Sequence, residues 1–158
     1  QEVAEGTTAA VGGKPVFWHA PASRSTVATY YYPIAEEARI AASVKAGDYE
    51  TVEACIEAVW DRNFADLPAT PQTIHLLLTE MLATTIKCAR ELKLDELAGV
   101  AALNRRISEC ADVSQARGIV ERLLDSYAAL CRIADSRLFF SQNPSSAVYS
   151  SLPHSYAQ

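Results

Sequence analysis

Residues 30–64 carry the sequence YYYPIAEEARIAASVKAGDYETVEACIEAVWDRNF. Pro33 suits the start of a helix, because the N–H group that proline lacks would have no helical partner there. Gly47 can adopt the left-handed conformation that ends a helix, and Asp48 is a favourable N-cap for the next one. The stretch therefore predicts two helices joined by a short turn, which makes them antiparallel neighbours.

Apolar residues recur at helical spacing in both predicted helices. The stripe of the first helix is Ile34, Ala38, Ala41 and Val44. The stripe of the second is Val52, Cys55, Ile56, Val59, Trp60 and Phe64. Each stripe predicts the face that packs into a core.

Three further helices follow. Thr70 and Pro71 form an N-cap and first-turn pair, and the helix that they begin runs to about Leu92. This third helix is apolar over more than half of its circumference, which predicts the central position in a bundle. Residues 95–110 predict a shorter helix, weakened by Gly99.

A capping-box pattern begins the last helix. Asp112 is followed three residues later by Gln115, and the apolar stripe then continues to about Phe139. The fold class that follows is mainly α, a bundle of about five helices. Residues 15–32 add a short N-terminal extended or β-hairpin segment, because they are rich in aromatic and β-branched side chains.

The chain divides into three parts by composition. Residues 1–14 predict a flexible lead-in, residues 15–140 a single helical domain, and residues 141–158 a Ser/Pro-rich tail or linker. Residue 1 is not a Met and no signal-peptide pattern follows, so we expect the sequence to be part of a longer protein.

Net charge and hydropathy argue against some classes of function. The net charge of −5 argues against direct nucleic-acid binding, which needs a basic face. No apolar run approaches the roughly 20 residues that span a bilayer, so we expect no membrane contact by this segment. The four cysteines include no CxxC pair and fall on or near apolar stripes, which favours buried thiols in a cytoplasmic protein over disulfides or zinc.

No group of residues predicts catalysis. His19, His75 and His154 lack a metal-ligand spacing to one another or to a cysteine. The glutamates at helical spacing are more simply a solvated helix face than an acid–base pair, and the common phosphate-binding loops are missing. We therefore expect no enzyme activity, no metal and no cofactor.

Aromatic side chains crowd the segment before the first helix. If that segment is extended, Tyr30 and Tyr32 face one way and Tyr31 the other. Packing against the edge of the bundle is one interpretation. The other is a dimer interface or ligand wall, because Tyr and Trp are enriched at interfaces. The candidate residues are Trp18, Tyr30, Tyr31, Tyr32 and Trp60.

Residues 30–140 resemble a recurring region of AraC-type transcriptional regulators of the long Firmicutes kind. The similarity lies in Tyr31-Tyr32-Pro33, Glu36-Glu37, Lys45-Ala46-Gly47-Asp48 and Asn63-Phe64, followed by a long apolar helix. In that family the region lies just upstream of a tandem helix-turn-helix module. No such module occurs in these residues, so no DNA-contact residue carries over.

The resemblance implies a regulatory region that transmits a signal or dimerises, with DNA bound only through the separate module. It also implies a homodimer, an input from a small molecule or an upstream sensor domain, and a parent protein that is membrane-anchored in some members. Two alternatives stay open. One is a stand-alone helical sensor that binds an apolar ligand among Trp60, Met81 and the tyrosines, and the other is a helical-repeat scaffold for protein partners.

Overall fold

The computed structural model describes residues 29–65 and 69–143. These residues form five helices and no strand, which confirms the mainly α fold. The helices are α1 (Ile34–Lys45), α2 (Tyr49–Phe64), α3 (Pro71–Glu91), α4 (Val100–Ser108) and α5 (Val113–Gln142). The predicted lead-in, most of the predicted hairpin segment and the tail beyond residue 143 lie outside the described residues. Within the described ranges, no helix is both long and apolar enough to cross a bilayer.

The turn between α1 and α2 follows from Gly47 and Asp48. Gly47 has φ +73°, and its N–H donates to the Val44 carbonyl at 3.0 Å. The Asp48 N–H reaches back to the Ser43 carbonyl at 2.9 Å, and the Asp48 carboxylate accepts from the Thr51 N–H at 3.0 Å. Both predicted roles are confirmed, and the left-handed glycine satisfies carbonyls that the helix end would leave unpaired.

The buried face of α1 matches the predicted stripe in part, because Val44 is buried and Ala41 is partly buried against the core. Ile40 and Val44 are buried, whereas Ile34 is 82% exposed and Ala38 is exposed. The two large β-branched side chains bury more apolar area than the alanines and so determine which face packs inward. Pro33 is the N-cap residue, with extended backbone, which confirms its predicted place at the start of the helix.

Helix α3 takes the core position that its sequence predicts. Thr70 caps it through the Thr73 N–H at 3.1 Å, and Pro71 is its first residue. Its buried residues are Thr73, Ile74, Leu77, Leu78, Met81, Leu82, Thr84, Thr85, Cys88 and Ala89. The helix contacts α1, α4 and α5.

The predicted start of α4 is wrong. The helix begins at Val100, and Gly99 precedes it with φ +82° instead of lying within it. An L-residue side chain is disfavoured in this conformation, so glycine at this position ends the loop and sets the direction of the helix. The buried residues of α4 are Leu103 and Ile107.

Helix α5 is 30 residues long and contacts each of the other four helices. Asp112 accepts from the Gln115 N–H at 2.8 Å, which confirms its capping role. The Gln115 side chain accepts from the Ala111 N–H at 2.8 Å, one residue before the partner that a capping box uses. Because one helix touches all the others, the helices do not stack in nearest-neighbour pairs as a helical-repeat scaffold would require.

Candidate functional site

Residues 29–33 form an extended segment, here called the strap, which crosses α2 and α3. Asn63 on α2 holds its backbone on both sides of Tyr31. The Tyr31 N–H donates to Asn63 Oδ1 at 2.7 Å, and Asn63 Nδ2 donates to the Tyr31 carbonyl at 2.8 Å. Asn63 is only 2% exposed, so these bonds satisfy an amide that would be costly to bury alone.

Tyr30 and Tyr32 both reach α3. The Tyr30 hydroxyl donates to Glu80 Oε2 at 2.5 Å, and the Tyr32 hydroxyl donates to Thr84 Oγ1 at 2.9 Å. Glu80 and Thr84 are four residues apart and therefore share one face of the helix. The hydrogen bond to Glu80 is the main cause that raises the pKa of Tyr30 to about 12, and burial raises the pKa of Tyr32 further.

Tyr31 faces α2 instead, which confirms the predicted alternation. The Arg62 guanidinium lies 4.6 Å from the centre of the Tyr31 ring. Cations are attracted to the negative face of an aromatic ring, by about 0.5–1 kcal/mol where the pair is exposed. The three tyrosines therefore join the strap to two different helices.

Trp60 has a separate set of contacts on α2. Its ring centre lies 4.2 Å from that of Phe64, and the Arg117 guanidinium of α5 lies 5.4 Å from it. Arg117 also makes a two-pronged pair with Glu57, at 2.9 and 2.7 Å. Trp60 thus contributes to the α2–α5 contact, and its described contacts do not include the strap. Trp18, the fifth predicted residue, lies outside the described residues.

The turn that contains Gly47 lies directly on α5. A Cβ atom placed on Gly47 would be 3.0 Å from the Cβ of Asp135, a tight contact that Asp135 would have to relieve by shifting a few tenths of an ångström. Glycine is therefore required twice, for its positive φ and for the close approach. Two residues further along α5, Arg137 donates to the Leu92 carbonyl at the end of α3.

Beyond Arg137, helix α5 leaves apolar side chains in solvent. Phe139 is 53% exposed, and Leu138 and Phe140 are exposed as well. The two phenylalanine rings meet edge to face with centres 5.6 Å apart. The last turns of the longest helix therefore present an aromatic surface to solvent.

A cavity of about 770 Å³ lies between the end of α3 and the start of α4. Its lining includes Ile86, Ala89, Arg90, Leu97 and Val100. Met81 is fully buried in the core, and neither it nor Trp60 nor the tyrosines line this cavity. The residues that were predicted to surround a ligand therefore do not surround this space.

The four cysteines are buried, as predicted, and none of them forms a disulfide in the structure. Burial is the largest cause that raises the pKa of each, to about 11 for Cys88. A raised pKa keeps a thiol protonated and unreactive at neutral pH. No group of three or more metal-ligating side chains occurs in the part of the chain that the structure describes.

Sequence patterns left the two residues that hold the strap unassigned. Asn63 was noted only as part of the motif that carries the family resemblance, and Thr84 was not singled out. Both are polar residues that lie within buried helix faces, and Thr84 is only 1% exposed. A polar residue on an apolar stripe signals a buried partner, although the identity of that partner follows only from the fold.

No family model matches the chain, and neither the curated proteins nor the solved structures give a match.

Proposed function

We propose that the chain is the regulatory region of an AraC-type transcription regulator, which transmits an upstream signal or dimerises to orient a separate helix-turn-helix module. One observation carries this proposal. The Lys45-Ala46-Gly47-Asp48 turn, part of the motif on which the family resemblance rests, lies so close to α5 that a Cβ atom added at Gly47 would be only 3.0 Å from the Cβ of Asp135. The motif therefore packs closely against Asp135 of α5.

Helix α5 is the output element in this proposal. It contacts α1, α2, α3 and α4, so a rearrangement of any of them must be accommodated by α5. Packed helices shift between discrete arrangements, because close-packed interiors do not deform continuously. The exposed side chains at Leu138, Phe139 and Phe140 offer apolar surface for contact with the module or for homodimerisation.

The net charge of the chain and the raised pKa of its thiols are consistent with the remaining parts of the proposal. A net charge of −5 disfavours phosphate contact, so DNA binding belongs to the separate module. The thiols with raised pKa offer no nucleophile, and we propose no catalytic role. The proposed setting is the cytoplasm, where a regulator meets its operator.

Selection from random duplex DNA tests the proposal. The 158-residue chain should enrich no sequence, and its weak binding should fall steeply with salt. The longer protein encoded by its gene should enrich a repeated half-site. Enrichment of one sequence by the 158-residue chain would contradict the proposal, as would a gene that encodes no helix-turn-helix module.

A second candidate function is small-molecule sensing, and the cavity of about 770 Å³ is the observation that favours it. Its volume falls in the range of ligand pockets, and it combines apolar walls with Arg90 and Asp95. A metabolite screen by thermal shift should then find saturable stabilisation. Ala101→Trp, which fills the cavity from α4, should abolish that stabilisation; a screen in which no compound raises Tm would reject this function.

A further inference from the structure

The bonds between the strap and the bundle have an unusual property: the buried side chains that make them also have partners inside their own helices. Asn63 Nδ2 donates to the Val59 carbonyl at 2.8 Å as well as to Tyr31. The Thr84 hydroxyl accepts from Tyr32 and lies 3.1 Å from the Glu80 carbonyl, to which it can donate. Both side chains therefore keep a hydrogen bond when the strap leaves.

This arrangement lowers the cost of opening. A buried polar group that loses its only partner costs about 1–3 kcal/mol, whereas a group that keeps an internal bond loses less. If the strap leaves, water can reach Asn63 Oδ1, Glu80 Oε2 and the second lone pair of Thr84 at the surface that the strap uncovers. The Tyr31 N–H and carbonyl and the hydroxyls of Tyr30 and Tyr32 are hydrated together with the strap. The strap itself belongs to no helix or strand, and its outer contacts, such as Tyr30 with Glu80, are exposed.

We propose that the strap is a releasable latch, which opens and closes on α2 and α3 while the five-helix bundle stays folded. Residues 1–28 are joined covalently to the strap, so a displacement on that side acts on the latch first. Tyr32 is bonded to Thr84 of α3, and Tyr127 of α5 donates to the Met81 carbonyl of the same helix at 3.5 Å. A series of contacts therefore connects the latch to α5, the longest helix. The role of the latch as the input of a regulator rests on the proposed function. The opening of the latch does not depend on that function.

Native-state hydrogen exchange of the 158-residue chain tests the latch, because the Tyr31 amide reports on it directly. We expect the Tyr31 amide to exchange at least about ten-fold faster, after correction for intrinsic rates, than the slowest α3 amides. Low denaturant should accelerate the α3 amides and leave Tyr31 unchanged, because local opening exposes little surface.

Two matched variants sharpen the experiment. Tyr32→Phe removes one bond of the latch and should raise Tyr31 exchange about five-fold without affecting the α3 core. Thr85→Val removes a buried hydroxyl that donates within α3 to the Met81 carbonyl at 2.8 Å. It should accelerate the core amides and leave Tyr31 unchanged.

Equal opening free energies for Tyr31 and the α3 core, with both variants shifting the two together, would overturn the latch. That outcome would make the strap part of the cooperative core. It would not affect the DNA selection, so a failure of the latch and a failure of the proposed function remain distinguishable.

Discussion

The strap and the Gly47 turn both connect the segment of residues 30–64 to the rest of the bundle, yet they do so by different physical means. The strap is held by side-chain hydrogen bonds from Asn63 and Thr84, each of which has a second partner within its own helix. The turn lies close to the backbone of α5, and a carbon atom added at Gly47 would make a tight 3.0 Å contact with the Cβ of Asp135.

The difference indicates which contact can open and which cannot. Hydrogen bonds with alternative partners exchange at modest cost, whereas close packing has no intermediate state between contact and separation. In the proposed function, the strap would receive a signal and the turn would pass it on to α5.

The largest effect is expected at Gly47. Gly47→Ala should lower the free energy of unfolding by about 2 kcal/mol, because it combines left-handed strain with a tight contact against Asp135. Gly99→Ala should cost about 1 kcal/mol, since φ is +82° but no atom lies within 4 Å of the added Cβ. Denaturant unfolding measures both values.

Gly118→Ala in α5 is a control for which the expected change in the free energy of unfolding has the opposite sign. No atom lies within 4 Å of a Cβ placed there, and its backbone is helical. Gly118→Ala should therefore raise the stability by about 0.5–1 kcal/mol. If Gly47→Ala and Gly99→Ala lowered the free energy of unfolding equally, the contact between Gly47 and Asp135 would add nothing to the cost of the substitution.

Asn63→Ala should have the next largest effect. It removes the two bonds to Tyr31 and leaves a small void, which together should cost about 2 kcal/mol in urea unfolding. Asp61→Ala, an exposed change two residues earlier in α2, should be close to neutral. If the two variants unfolded at the same urea concentration, Asn63 would not hold the strap.

A smaller and pH-dependent effect is expected between α2 and α5. The hydrogen bonds from Arg117 lower the pKa of Glu57 below its ordinary value of 4.5. The charged pair therefore stabilises the fold above that ordinary value, and the contribution is lost as pH falls through the lower folded-state pKa. Both side chains are about one-third exposed, so the gain at pH 7 should be at most about 1 kcal/mol.

Stability of the wild type and Glu57→Gln across pH 7 to 3 measures this effect. The difference between the two proteins should be present at pH 7 and should vanish in acid. A difference that stayed constant over the whole range would indicate a packing effect instead of a charge effect.

The smallest effect is expected for Arg62→Ala, which removes the cation above the Tyr31 ring. The pair is partly exposed, so the loss should be about 0.5 kcal/mol. Arg62→Lys retains a cation there and should lose less. Unfolding curves that gave Arg62→Ala a loss as large as that of Asn63→Ala would show that the Tyr31 ring, and not its backbone, holds the strap.

Much of the bundle follows from local sequence signals. Gly47, Asp48, Thr70 and Asp112 fix helix ends through backbone conformation and capping, which depend on neighbouring residues alone. The boundary at Gly99 was misjudged because glycine both weakens a helix and precedes one, and composition does not separate the two roles. The buried face of α1 was predicted only in part, because small alanines extend a stripe without adding much buried area.

The site was less predictable than the fold. The alternation of the tyrosines follows from extended geometry and is confirmed by their contacts. Their partners Asn63 and Thr84 lie 32 and 52 residues away in the chain, and only the packing of α2 and α3 against the same helices, α1 and α5, brings them to the strap. Long-range pairing of this kind leaves no periodic signal in a single sequence.

The central claim is that a change at the Gly47 turn reaches the far end of α5. Backbone amide chemical shifts of Gly47→Ala, with Gly99→Ala as the control, test it most directly. The account predicts shift changes from Asp135 through Phe140 in the first variant and none there in the second. Changes confined to residues 45–49 would contradict it.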